Sequence, residues 1–157
     1  MGRIIAVANQ KGGVAKTTTA TTVASALAEA GNRVLVVDLD AQACATFSLG
    51  IDPEDLPVEL PRTYLSGEGE PPIIQTEEGV DLLPATIDLA SADHDFAAAE
   101  GRERMLERVL DPLREEYHYI LIDCSPSLGL MTINALVAAD EVLVPLKCET
   151  LAHRGLG

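Results

Sequence analysis

The run Arg33 to Asp38 (RVLVVD) restricts the fold more than any other feature of this chain. Four apolar residues in succession, without polar alternation, mark a strand buried on both faces, and such strands belong to parallel sheets covered by helices. Upstream, Arg3 to Asn9 (RIIAVAN) is a short β-branched apolar run that ends in a glycine-bearing turn. A long Thr/Ala segment follows, Thr17 to Ala30, free of Gly and Pro, with Val23, Ala24, Leu27 and Ala28 on one helical face and Gly31 as its stop. Arg3 to Asp38 therefore reads as a βαβ unit. Tyr119 to Asp123 (YILID) and Glu141 to Leu146 (EVLVPL) are two further buried strands, with a helix over Met131 to Ala139 between them. Strands alternating with helices predict the α/β class, a doubly wound, mainly parallel sheet with helices on both faces.

The middle of the chain is less regular. Leu39 to Thr86 carries six prolines, which predicts loops and short elements, with Val80 to Leu83 as its clear strand candidate. Leu89 to Ala99 is read as a short helix. Arg102 to Tyr117 is a better one, with Met105, Leu106, Val109, Leu110 and Leu113 at 3/4 spacing. Pro112 should kink it or begin a new first turn.

At 157 residues the chain is expected to form one domain with a substantial core. Its 47% hydrophobic and 23% charged residues exclude wholesale disorder and fibrous repeats. The net charge of −14 disfavours nucleic acid as a partner on composition alone. Fourteen of the 25 acids fall between Asp52 and Glu103, against Arg62 and Arg102, so an anion-binding surface must lie elsewhere. Of three lysines, two, Lys11 and Lys16, lie in one glycine-bearing segment. The acid-rich, lysine-poor balance resembles proteins of high-salt cytoplasm. Cys44, Cys124 and Cys148 match no zinc or CxxC spacing and are read as packing residues in a reducing interior, and the three histidines are isolated. No apolar run reaches membrane-spanning length and no signal peptide opens the chain, so a soluble cytoplasmic protein is expected.

Lys11-Gly12-Gly13-Val14-Ala15-Lys16-Thr17-Thr18 lies between the first strand and the first helix. Adjacent glycines let backbone amides approach phosphate oxygens, the helix N-terminus adds its dipole, Lys16 supplies a point charge, and Thr17 offers a hydroxyl to a metal. The segment is a candidate phosphate cradle. It does not meet the ordinary GxxxxGK[ST] pattern, because Gln10 and Ala15 stand at its glycine positions.

KGGVAKTTT resembles the deviant Walker A motif of the ParA/MinD family of P-loop ATPases, whose additional lysine is here Lys11. Asp38-Leu39-Asp40-Ala41-Gln42-Ala43-Cys44-Ala45-Thr46, with Ser48-Leu49-Gly50-Ile51, is similar to the second motif of the ParA/Soj branch. ILIDCSPSLG (Ile120 to Gly129), followed by NALVAADEVLVP, resembles the family's Walker B strand, switch region, helix and next strand. The resemblance runs through the chain and weakens between Asp52 and Val80. It implies ATP and Mg²⁺ as cofactors and slow, Mg-dependent ATP hydrolysis that drives an ATP-dependent homodimer. It also implies a ParB-like activator and non-specific DNA as partners, no membrane, and a role in chromosome or plasmid partition. Family members continue beyond position 157, so this chain looks like an N-terminal portion, with most DNA contacts in the remainder.

By the same resemblance Asp40 orients the attacking water, Lys11 reaches the phosphates of the partner subunit, and Ser125 and Pro126 respond to the γ-phosphate. Lys11 has the alternative of a local counter-charge. Asp123 sits at the C-terminal end of a buried strand, where open α/β sheets bind ligands, and is read as holding Mg²⁺ through water in preference to capping the next turn. Asp38 stays open between a metal-shell role and a structural one. Ala15 would be harmless in a helical backbone and would crowd the phosphates at positive φ. Competing readings are a MinD-like membrane-cycling regulator of division-site placement, which needs a basic amphipathic C-terminal helix, an ATP-binding module without useful turnover, and a small-carboxylate kinase of the same superfamily.

Overall fold

The computed structural model describes residues 1–11 and 15–148. Its strands are β1 (Arg3–Val7), β2 (Val34–Leu39), β3 (Ile74–Gln75), β4 (Asp81–Leu83), β5 (Tyr119–Cys124) and β6 (Glu141–Leu143). They form one sheet in the order β3-β4-β2-β5-β1-β6, parallel throughout except for the β3–β4 pair. The helices are α1 (Lys16–Glu29), α2 (Cys44–Ser48), α3 (Leu60–Ser66), α4 (Ala92–Asp95), α5 (Met105–Leu110) and α6 (Leu130–Ala138), with 3₁₀ turns between several of them. Among the described residues no helix is long and apolar enough to cross a membrane.

Alternation along the central strands sorts the core into two layers. Leu35, Val37 and Leu39 of β2 and Ile120, Ile122 and Cys124 of β5 pack with Leu106 and Leu110 of α5 and with Met131 and Ala135 of α6. Val34 and Val36 of β2 and Leu121 of β5 face the opposite way, onto Ala24 of α1 and Leu49, with Val23, Leu27 and Ala28 packed partly buried against them. The expected apolar face of α1 is therefore the buried one. The neighbouring strands β1 and β5 send their helices, α1 and α6, to opposite faces. That divergence opens a crevice beyond their C-terminal ends, the usual ligand position in such sheets.

Several expected elements are shorter than the sequence pattern indicates. The last strand stops at Leu143 instead of Leu146, just ahead of Pro145, which has no amide proton to donate to a ladder. The helix expected over Arg102 to Tyr117 is a 3₁₀ turn, the six residues of α5, and a second 3₁₀ turn over Asp111–Glu115 that Pro112 opens. Leu89 to Ala99 holds the end of a 3₁₀ turn and the single turn α4. β3 adds a strand that the proline-rich region did not signal. Cys124 is buried as expected of a packing residue, whereas Cys44 and Cys148 are exposed.

Asn134 ties two of these short pieces together. It is fully buried on α6, accepts the Leu106 amide at 3.0 Å and donates to the Arg102 carbonyl at 2.8 Å. Replacing it with a side chain of similar size but no polarity strands the buried Leu106 N–H and leaves the Arg102 carbonyl without this donor. Asn134→Leu is therefore expected to lower unfolding free energy by about 2 kcal/mol in urea titrations, although it makes the core more apolar.

Candidate functional site

Parity along β2 and β5 places two carboxylates side by side. Asp38 and Asp123 are register partners near the C-terminal ends of these strands, both turned to the α1 side of the sheet where the preceding residues of that parity are Val36 and Leu121. Both are buried. Burial is the main force on their ionisation: Asp123 is pushed up to about 7, with the neighbouring charges of Asp38 and Asp40 adding to the effect and the Thr17 hydrogen bond and Lys16 opposing it. Asp38 is raised to about 6 by burial, against the hydrogen bonds it accepts.

The two acids differ in how they are satisfied. Asp38 Oδ2 accepts from both the amide (2.9 Å) and the hydroxyl (2.7 Å) of Thr46, and Oδ1 accepts from the Asp40 amide at 3.1 Å. Asp123 Oδ2 accepts the Thr17 hydroxyl at 2.7 Å, while its buried Oδ1 has no hydrogen-bond partner among the described residues. A buried oxygen left with an unmet demand for positive charge, beside a threonine hydroxyl, is what a hard cation with oxygen ligands fits.

Thr17 belongs to the first turn of α1, whose N-terminal amides face the same crevice. Lys16 is buried and its Nζ donates to the Lys11 carbonyl at 3.1 Å. Thr18 is exposed on the next position of the turn. Ala15, immediately before α1, has φ 60 and ψ 35, so it adopts the left-handed backbone that glycine takes without strain. Of the two conformations weighed from sequence, the positive-φ one is present. Gly12, Gly13 and Val14 lie outside the described residues.

Asp40 starts a tight turn beyond β2: its Oδ1 accepts the Gln42 amide at 3.0 Å and its carbonyl accepts the Ala43 amide at 2.8 Å. On the far side of the crevice, Ser125 and Ser127 approach each other through their hydroxyls (3.3 Å), and Thr132 of α6 donates to the Ser127 carbonyl at 2.6 Å. Two residues not singled out from sequence complete the frame. Asn9 accepts the Lys11 amide and donates to the Pro145 carbonyl, joining Lys11 to the segment after β6. Thr46 is the main partner of Asp38. A polar residue closing an apolar strand hints at Asn9, but a threonine eight positions after an acid is no signal until α2 folds back.

Residues 2–157 match a protein family described as an AAA domain. The chain is 46% identical over 158 residues to the sporulation initiation inhibitor protein Soj of Bacillus subtilis, an alignment that takes in 99% of this chain and 62% of Soj. It is 45% identical over 158 residues to the chromosome partitioning protein ParA of Myxococcus xanthus, across 99% of this chain and 56% of that protein. Among solved structures it superposes on cobyrinic acid a,c-diamide synthase from Mycobacterium smegmatis with bound ADP and magnesium, with TM-score 0.94 and 55% identity, across all of this chain and 64% of that one. The chain thus spans about three fifths of the length of the relatives it matches.

The raised acids set a pH dependence with a definite sign. From the ordinary carboxylate value of 3.8 up to about 7 for Asp123 and about 6 for Asp38, the native state holds protons that the unfolded chain has released, so stability falls as pH rises through these windows. The slope is at most about 1.4 kcal/mol per pH unit for each group. In EDTA, the urea midpoint is expected to be higher at pH 5.5 than at pH 8. Asp123→Asn should narrow that difference, chiefly by raising the midpoint at pH 8.

Proposed function

The chain belongs to the ParA/Soj family of P-loop ATPases, and from that premise we propose that it carries the ATP-binding and hydrolytic portion of a Mg²⁺-dependent partition ATPase. The observation that carries this reading is the Thr17–Asp123 pair beneath the N-terminus of α1, with Asp123 Oδ1 buried and unsatisfied among the described residues. The Thr17 hydroxyl and Asp123, the latter through water, would hold Mg²⁺, whose charge together with the nucleotide completes the site's electrostatics. Among the described residues no group of three or more His, Cys, Asp or Glu is placed to hold a metal. That fits an ion that takes most of its ligands from phosphate and water.

The chain's own residues then divide the work of phosphoryl transfer, which rests on positioning and charge neutralisation. The segment from Lys11 to Thr18 cradles the phosphates, with the α1 N-terminus and Lys16 countering their charge. Asp40 orients the attacking water, and Asp38, with both oxygens already accepting hydrogen bonds, acts in the reading we favour as a structural carboxylate and not as a metal ligand. Lys11 reaches the phosphates of a second copy in an ATP-bridged dimer. Ala15, in its left-handed conformation, crowds the cradle and slows turnover.

The dimer is the switch: a ParB-like partner stimulates hydrolysis, and non-specific DNA is bound largely by parts of the family fold outside these residues, in keeping with the net charge of −14. Half-exposed Val142 and Leu143 on the edge strand β6, and Ile133, Leu136 and Val137 on α6, support reading residues 1–157 as one part of a larger domain. The likeness to the M. smegmatis cobyrinic acid a,c-diamide synthase favours a second reading, in which the same site activates a carboxylate of an acid substrate. Phosphate release that depends on such an acid and ignores DNA and a ParB-like protein would select it.

Two measurements test the leading reading. In single-turnover hydrolysis, Asp40→Ala is expected to cut phosphate release by at least about a hundredfold while ATP still binds. In sedimentation velocity at high KCl, ATP and Mg²⁺ should convert monomer to dimer, and Lys11→Ala should remain monomeric.

A further inference from the structure

We infer that Thr46 is a positioning residue for hydrolysis, holding Asp38 so that Asp38 in turn holds the Asp40 turn. The inference rests on the role proposed for Asp40.

Thr46 is fully buried on α2 and makes four polar contacts in three directions. Its amide and hydroxyl both donate to Asp38 Oδ2, its hydroxyl oxygen accepts the Ala85 amide at 3.0 Å just past the end of β4, and its carbonyl accepts the Ile51 amide at 3.2 Å. The Asp38 carboxylate passes the constraint on, because its other oxygen accepts the Asp40 amide. One hydroxyl therefore joins the ends of β2 and β4 to the turn that aims Asp40.

That turn is under load. Ala43, between Asp40 and Thr46, has φ 54 and ψ 34 and is 2% exposed. A left-handed alanine persists only where its surroundings fix it. Its anchors are the Ala43 amide on the Asp40 carbonyl and, three residues on, the Thr46 bonds to Asp38. Without the Thr46 hydroxyl the Ala85 amide loses its acceptor and Asp38 loses a donor. Ala43 is then free to relax towards the right-handed region and carry the Asp40 carboxylate with it. Displacements of about 1 Å at a water-positioning group cost rates of order a hundredfold without weakening substrate binding.

The test compares wild type, Thr46→Val, Thr46→Ser and Asp40→Ala in ATP turnover, ATP affinity with a fluorescent analogue, and amide hydrogen exchange. Thr46→Val preserves shape and removes the hydroxyl, and is expected to lower kcat by about 10- to 100-fold. Its KM and Kd for ATP should stay within about twofold of wild type, and Thr46→Ser should restore turnover. In Thr46→Val the amides from Asp40 to Ala43 should exchange faster, while those of β1 and β5 keep their protection. Wild-type turnover and wild-type exchange at Asp40 in Thr46→Val would overturn the inference. So would a loss spread equally over kcat, ATP affinity and β5 protection that serine does not repair. If Thr46→Val does not fold, Asp38→Asn, which leaves one acceptor oxygen where the Thr46 and Asp40 donors use two, should give the same split between kcat and KM. Wild-type turnover in Asp40→Ala would refute the Asp40 reading itself, and exchange at the Asp40 amide would still decide whether Thr46 holds the turn.

Discussion

Two carboxylates buried in adjacent strands govern this structure. Placing Asp38 and Asp123 in register at the C-terminal edge of the sheet, on one face, costs desolvation and mutual repulsion that no apolar contact offsets. The chain meets that cost differently at the two positions. Asp38 is supplied with three donors by the turn and helix that follow its own strand. Among the described residues Asp123 receives one, from Thr17, more than a hundred residues away in sequence. The first arrangement makes a rigid corner, and the second leaves an oxygen whose remaining demand suits a cation.

The surrounding architecture follows from these two solutions. α1 must begin directly above Asp123, which requires a reversal between β1 and the helix, and Ala15 pays for it with a left-handed backbone. α2 must begin within reach of Asp38, and Ala43 does the same there. The two non-glycine residues with positive φ among those described both stand immediately ahead of the helices that serve the two acids. Strain of this kind gathers where a site demands a geometry that propensity alone would not choose.

Charge is distributed to the same end. A chain with a net charge of −14 repels anions over most of its surface, and its acids crowd the stretch from Asp52 to Glu103. Lys11 and Lys16 stand apart from that stretch, next to the helix N-terminus, where positive charge and backbone dipoles add. A polyanionic ligand therefore meets attraction at the N-terminus of α1.

The apolar runs at Arg33 to Asp38 and Tyr119 to Asp123 by themselves determined that the chain forms a parallel sheet covered on both faces, because only full burial favours such unbroken runs. The βαβ order around the Lys11 to Thr18 segment was equally legible, since the apolar runs and the helix between them are local in sequence. In Arg102 to Tyr117 the break at Pro112 was legible from the proline itself, whereas the 3₁₀ turn ahead of α5 was not, because 3/4 apolar spacing says nothing of the buried Asn134 that intercepts the Leu106 amide across 28 residues. The different fates of Asp38 and Asp123 were decided only by the tertiary structure. Identical residues at equivalent strand ends differ in the number of donors that distant segments bring to them, and that number depends on where α2, β4 and α1 come to rest.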